Sequence, residues 1–317
     1  MHRSLTPPAE SIAVLGCLGL FVTFAAILPS VWLDNVPTLL RDISWLGLIA
    51  IGQAMLITSG EFDLSVGSVF GFTALVFVLM LQLGLGAPAS FLVAMAVALG
   101  IGALNGVLSW VFGLPSLLVT LGFLFVYRGL IQFFTGGFPI SIPETVRESG
   151  LILFLSGTSF GLHNSILICA AVLAVATFTL GRTRFGAHLL SVGGDLNAAK
   201  ACGVPVAATK IRTFMICSGL AGLAGIVAVS KLSAVTATSG EGLEFEAIAA
   251  AVIGGCSLRG GVGSAWGALL GVATLMSLKA GLILMGVNMF IYQLLLGAVL
   301  VGLIAIKGVF PMLREAK

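Results

Sequence analysis

Apolar residues in this chain come in runs of similar length, separated mostly by short polar breaks. A helix needs roughly 20 apolar residues to cross the hydrocarbon core of a bilayer. Runs near that length recur at 11–31, 43–60, 65–84, 90–112, 116–135, 164–181, 212–232, 245–258, 262–282 and 288–306. The pattern predicts an all-α polytopic transmembrane helical bundle of about ten spans, a single domain over 1–317. The run at 245–258 is short for a full crossing and is expected to be a half-helix or a re-entrant element. The first run is long enough to remain as a span, unlike a cleaved signal segment. Polar connections are brief except at 136–163 and 182–211.

Composition excludes a soluble domain. The chain is 59% apolar and 9% charged, with mean hydropathy +1.18, whereas soluble domains carry about 25% charged residues. Its 42 glycines suit helices that pack backbone to backbone. The net charge of +3 says little, but the placement of the basic residues says more. With the N-terminus inside, Arg3, Arg182, Arg184, Lys200, Lys210, Arg212, Arg259, Lys307, Arg314 and Lys317 fall on the cytoplasmic side. Arg41, Arg147, Lys231 and Lys279 fall on or near the outside, and Arg128 lies within the fifth run. This asymmetry predicts that both termini are cytoplasmic. It makes 136–163 an external connection, read as a structured cap with a short helix or as a passive loop, and 182–211 a cytoplasmic one.

The chemistry of catalysis is missing from the pattern. There is no Gly-x-x-x-x-Gly-Lys-Ser/Thr loop to cradle ATP phosphates. His2, His163 and His188 lie far apart, without metal-ligand spacing or a Ser–His–Asp grouping. Cys17, Cys169, Cys202, Cys217 and Cys256 form no CxxC and read as small buried side chains. No catalytic residue, metal or cofactor is expected, and no nucleic-acid partner; the lipid bilayer is the partner the composition demands.

The informative polar residues are the few that interrupt the runs. Glu61 and Asp63 stand two residues apart at the seam between the second and third runs. Asp63 can cap the helix that follows, where both acids would favour the positive end of the helix dipole. Alternatively Asp63, Ser65 and Ser68 line a passage, because a break within a membrane element needs polar partners. Both readings can hold together. Asn105 either bonds a neighbouring helix or faces a pore, and Arg128 either snorkels outward or pairs with Glu144 or Glu148. Gln53, Gln132 and Gln293 stay open. On the inner side, Asp195 can cap a short helix over 198–202 that Gly203 stops, with Pro205 just beyond. Such a helix is a docking knob for a soluble partner or an ordinary interfacial loop.

The run Gly193-Gly194-Asp195-Leu196-Asn197-Ala198-Ala199-Lys200-Ala201-Cys202-Gly203-Val204 resembles the cytoplasmic coupling loop of sugar-type ABC importer permeases, the family of ribose, xylose and autoinducer-2 permeases. The glycines, the alanine pair and the basic residue match that family, whereas Asp195, Leu196 and Asn197 replace its Asn, Pro and Glu. Further blocks follow in the family's order: Gly60-Glu61-Phe62-Asp63-Leu64-Ser65-Val66-Gly67-Ser68; Asn105-Gly106 with Pro115, Ser116, Thr120, Leu121 and Gly122; Arg128-Gly129 with Thr135-Gly136-Gly137; and 242–264, where Glu246 stands at a usual aspartate.

The resemblance implies a permease subunit in the bacterial inner membrane, moving a monosaccharide or related polyol. It implies a separate ABC ATP-binding subunit, a second permease copy or homologue, and a periplasmic substrate-binding protein. Under it, Asp63, Ser65, Ser68, Asn105 and Thr120 are candidates for the substrate path. Gly193, Gly194, Asp195, Asn197, Ala198, Ala199, Lys200 and Gly203 are candidates for coupling to the ATPase, and a bulky residue at Ala199 or Gly203 is expected to spoil that fit. The alternatives are an ATP-independent secondary transporter or channel using Glu61, Asp63 or Glu246, or a same-superfamily permease for nucleosides or branched-chain amino acids.

Overall fold

The structure, a computed structural model, describes residues 9–299 and 301–302, with side chains from Ala13 onward. Arg3, His2, Lys307, Arg314, Lys317 and the end of the last predicted run lie outside the described residues.

Helices dominate. In chain order they are α1 (Ala9–Ile27), α2 (Pro29–Thr58), α3 (Val66–Gln82), α4 (Ala87–Val111), α5 (Ser116–Thr135), α6 (Glu144–Arg147), α7 (Gly150–Ser156), α8 (Asn164–Arg182), α9 (Arg184–Gly194), α10 (Leu196–Ala201), α11 (Val206–Leu232), α12 (Leu243–Ile253) and α13 (Ala265–Leu284). A further apolar helix, α14, covers Met289–Val299. Four two-residue strands complete the set: β1 (Ile140–Ser141), β2 (Thr158–Ser159), β3 (Leu162–His163) and β4 (Ala234–Val235). Within the described residues, each predicted run falls mainly on helical residues. Among the described residues, six helices are long and apolar enough to cross a membrane: α2, α4, α5, α8, α11 and α13. The chain is an all-α multi-pass membrane protein.

The centre is built on α11 and the second half of α2. Every residue of α2 from Leu46 to Thr58 is buried, as is most of α11. Around that axis α11 packs on α4, α3 and α2, while α13 packs on α2 and α12; α1 lies against α13, α8 against α2 and α5 against α3. Such apposition needs small residues, because in lipid it is close packing that holds helices together. Gly225 on α11 is one: a β-carbon there would stand 2.1 Å from the Phe70 carbonyl oxygen of α3. Large side chains such as Leu15, Leu92, Phe125 and Phe178 point outward and are exposed, as lipid-facing residues must be.

Three differences from the sequence pattern have physical causes. First, α2 begins at Pro29, well ahead of the predicted 43. Asp34, Asn35, Thr38, Arg41 and Asp42 end the apolar run without ending the helix. Pro29 sits at its first position, where no amide hydrogen is needed. Second, the 182–211 connection is nearly all helical. Thr183 starts α9 by accepting a hydrogen bond from the Gly186 amide at 3.1 Å, α10 follows, and the last residues already belong to α11. Third, α12 spans 11 residues, about 16 Å at the helical rise, half a hydrocarbon core. The short run at 245–258 is therefore a half-length helix.

The 136–163 connection is structured. It carries α6 and α7, and β1 pairs antiparallel with β4 through Ile140↔Val235 and Ser141↔Ala234. Ile152 and Leu155 of α7 are buried in the cluster that holds Phe77 of α3 and Val227 of α11.

Candidate functional site

At the seam between α2 and α3 the backbone leaves the helix over residues 61–65, and its buried polar groups need partners. Neighbouring helices supply them. Gln53 of α2 donates through Nε2 to the Asp63 carbonyl at 3.1 Å, and accepts through Oε1 from the Cys217 thiol of α11 at 3.3 Å. The amide of Leu64 donates to Thr120 Oγ1 of α5 at 3.0 Å, and that of Phe62 to Ser116 Oγ at 3.3 Å. The Asp63 carboxylate accepts from the Ser65 amide at 2.7 Å and from its hydroxyl at 2.5 Å. Its other oxygen accepts longer contacts, each 3.5 Å, from Asn105 Nδ2 of α4 and Ser218 Oγ of α11. Asn105 Nδ2 also donates to Ser65 Oγ at 3.0 Å, and Ser68 Oγ donates to the Ser65 carbonyl at 2.8 Å.

All five path candidates therefore converge on one polar knot joining α2, α3, α4, α5 and α11. Asp63, Ser65, Ser68, Asn105 and Thr120 are each 0% exposed, so in this conformation the knot is sealed. The expected cap is modified in detail. Ser65 occupies the N-cap position of α3 without a side-chain cap bond, and Asp63 holds the turn from two residues upstream. Gln53 and Ser218 belong to the knot as well. Gln53 stood out as an amide in an apolar run, but its direction was open; a serine within α11 carries no signal. Glu61 leaves the knot and forms an ion pair with Lys210. Glu246 pairs with Lys279 at 2.9 Å. Arg128 does not reach Glu144 or Glu148; its Nη1 donates to the Ser239 carbonyl at 2.9 Å.

The second cluster is the 182–211 segment. Asp195 Oδ1 accepts from the amides of Asn197 at 2.9 Å and Ala198 at 3.0 Å, starting α10. The end of α10 is a Schellman motif: Val204 N donates to Ala199 O and Gly203 N to Lys200 O, both at 3.0 Å, with Gly203 at φ +74°. Gly194, Asp195, Asn197, Ala198, Lys200 and Gly203 are exposed. The other two coupling candidates face inward. Ala199 is 2% exposed and packs with Val192, Val206 and Trp110. Gly193 lies so close to the end of α2 that a β-carbon would stand 1.9 Å from Thr58 O. Ala199 seats α10 on the bundle, and half-buried Gly193 seats the end of α9 against α2. Trp110, which no sequence signal marked, lies under two ammonium groups, with Lys200 Nζ 5.2 Å and Lys210 Nζ 5.1 Å from its ring centroid. Among the described residues no group of three or more His, Cys, Asp or Glu comes together as a metal site.

A helical bundle of this kind, with six helices long and apolar enough to cross a membrane among the described residues, a half-length helix and a buried polar break between α2 and α3, defines a multi-pass membrane protein. Residues 35–304 match the family described as branched-chain amino acid transport system / permease component, and the chain belongs to that family of ABC importer permeases. It is 34% identical to the probable ABC transporter permease protein YphD of Escherichia coli (strain K12), across 89% of this chain and 84% of that one. It is 34% identical to the autoinducer 2 import system permease protein LsrC of Salmonella paratyphi B, across 94% and 86%. Against LsrC of Enterobacter sp. (strain 638) the identity is 33% across 99% and 90%.

Proposed function

We propose that this permease carries a monosaccharide or related polyol across the bacterial inner membrane, driven by a separate ATP-binding subunit that grips α9 and α10 from the cytoplasm. The observation that carries this reading is the construction of α10. It is a helix of 6 residues, capped at both ends, held to the bundle by buried Ala199 and half-buried Leu196, with Asn197, Ala198, Lys200 and Ala201 exposed. An element of that size adds little to the core, yet it is anchored to α2 through Gly193 and to α4 through Trp110. Movement imposed on it is thereby passed to the central helices. A second permease copy completes the transporter, and a periplasmic binding protein delivers the solute. In this reading all ten predicted runs are membrane elements with both termini cytoplasmic, and 136–163 forms the external cap. Asp63, Ser65, Ser68, Asn105 and Thr120 come to line the passage when the knot opens, a change that requires two states the ATPase biases differently.

The docking contacts fall to Gly194, Asp195, Asn197, Ala198, Lys200 and Gly203. The test is uptake by vesicles holding the permease with its ATP-binding subunit. Ala198→Trp, on the exposed face, is expected to cut ATP-driven uptake by roughly tenfold or more, a loss of about 1.4 kcal/mol of coupling, while the purified chain stays folded with an unchanged unfolding midpoint. Uptake driven by an ion gradient in the absence of ATPase would overturn the reading. The ion-coupled alternative has few free carriers to use, since Glu61 and Glu246 are both paired with lysines.

A further inference from the structure

We propose that Lys200, Trp110, Lys210 and Glu61 are positioning residues, a series of contacts by which α10 keeps the break between α2 and α3 closed and through which displacement of α10 opens it. The inference rests on the transport reading above for what displaces α10; the series itself is a property of this chain alone.

Each contact is short and lies on a different element. Lys200 is exposed on α10, and its Nζ stands 5.2 Å from the centroid of the Trp110 ring on α4. Lys210 Nζ, near the start of α11, reaches the same ring at 5.1 Å. Lys210 also forms the ion pair with Glu61, the first residue of the break. Phe62 comes next, its amide donating to Ser116 Oγ of α5 at 3.3 Å. Asp63 follows, at the centre of the knot. A ring, an ammonium group and a carboxylate therefore lie between an exposed lysine and a sealed polar cluster.

The strengths along the series are graded. Among the described residues Lys200 has no ion pair. Its contact with the ring is of the exposed, weaker kind, and a second ammonium group shares that ring. The side chains of Lys210 and Glu61 are only 11% and 15% exposed. Separating that pair would leave a charge without a partner and with little water, which is far more costly. A pull on α10 acts on the ring through Lys200 and through Ala199, which packs against Trp110. Lys210 shifts with the ring, and Glu61 follows Lys210 in preference to standing unpaired. That movement reaches the next residues of the break, where the Phe62 and Leu64 amides are held only by the hydroxyls of Ser116 and Thr120. Losing those two partners is the first step in unsealing the knot.

The test is hydrogen–deuterium exchange, read by mass spectrometry at the amides of residues 61–65, on the full chain in lipid nanodiscs. Lys200→Ala is expected to raise exchange there about threefold, the worth of one exposed cation–π contact, and Trp110→Leu about tenfold. Glu61→Gln, which keeps an acceptor and drops the charge, is expected to raise it about tenfold. Arg184→Ala, exposed on α9, is expected to leave it unchanged. The double variant Lys200→Ala with Glu61→Gln separates a link from two local effects, because these side chains share no ion pair. Exchange below the product of the two single effects shows that they are coupled. No change at 61–65 in Lys200→Ala, a double variant equal to that product, or a rise spread evenly along the chain overturns the link. With the ATP-binding subunit bound, a non-hydrolysable ATP analogue is expected to raise exchange at 61–65 in the parent but not in Trp110→Leu; an equal rise in both also overturns the link. No rise in the parent would sink the ATP-driven reading instead, and the result on the permease alone would still decide the link.

Discussion

Gly193→Ala probes the junction on which the coupling role depends. Gly193 ends one turn short of α10, and its α-carbon lies against the end of α2. An added β-carbon would stand 1.9 Å from Thr58 O and 2.6 Å from Gly261 N. Ordinary van der Waals contact begins at 3.4 Å, so α9 must withdraw by about 1.5 Å. The atoms it would strike are backbone and cannot rotate away. They are also bonded to each other, since Gly261 N donates to Thr58 O at 2.9 Å. Driving a methyl between them removes that bond, worth about 1 kcal/mol, and leaves buried backbone groups unsatisfied. Overpacking costs about 1–3 kcal/mol more, so the expected loss is about 2–4 kcal/mol. Gly194→Ala is the matched control. Its β-carbon would meet nothing closer than 4.0 Å, and both substitutions reduce the freedom of the unfolded chain alike. The difference in denaturation midpoint between the two purified variants in detergent isolates the contact. Equal stability would refute the close approach of α9 to α2 and, with it, the route by which α10 is anchored.

Two other variants test the rest of the structure. Asp63→Asn keeps the size of the side chain but replaces a charge-assisted acceptor with an amide; thermal unfolding is expected to show a loss of about 1–2 kcal/mol, and a variant as stable as the parent would mean that the carboxylate does not hold the α2–α3 break. Phe160→Asn acts at the tip of the β2–β3 hairpin, where Phe160 has φ 54° and is 97% exposed; asparagine tolerates that conformation better, so stability is expected to hold or rise by a few tenths of a kcal/mol, and a fall would show that the ring is packed after all.

Particular elements show what the sequence carried. The run at 116–135 matches α5 to the residue, because both its ends are marked: Pro115 before it and Gly136, in a left-handed conformation, after it. Asp195 and Gly203 announced the two ends of α10 by the same logic, since capping is a local affair between a side chain or a glycine and amides a few residues away. The start of α2 was hidden, because hydropathy registers contact with lipid and not helicity. The helix continues through Asp34, Arg41 and Asp42, whose charges interrupt the apolar run without interrupting the backbone hydrogen bonds. Helix α9 was missed for the same reason.

The composition of the chain by itself determined that it lives in a bilayer as a bundle of helices. Apolar runs of crossing length leave the backbone no other way to satisfy its hydrogen bonds. Local order also determined where α10 begins and ends. Only the tertiary structure decided which side of that helix is free. Ala198 and Ala199 are adjacent and identical in type, yet one is exposed and the other buried. Likewise, only the assembled bundle could bring Gln53, Asp63, Asn105, Thr120 and Ser218 from four helices and a break into one knot. Their contacts span up to 164 residues of chain, and at that separation partners are chosen by helix packing, which no local pattern records.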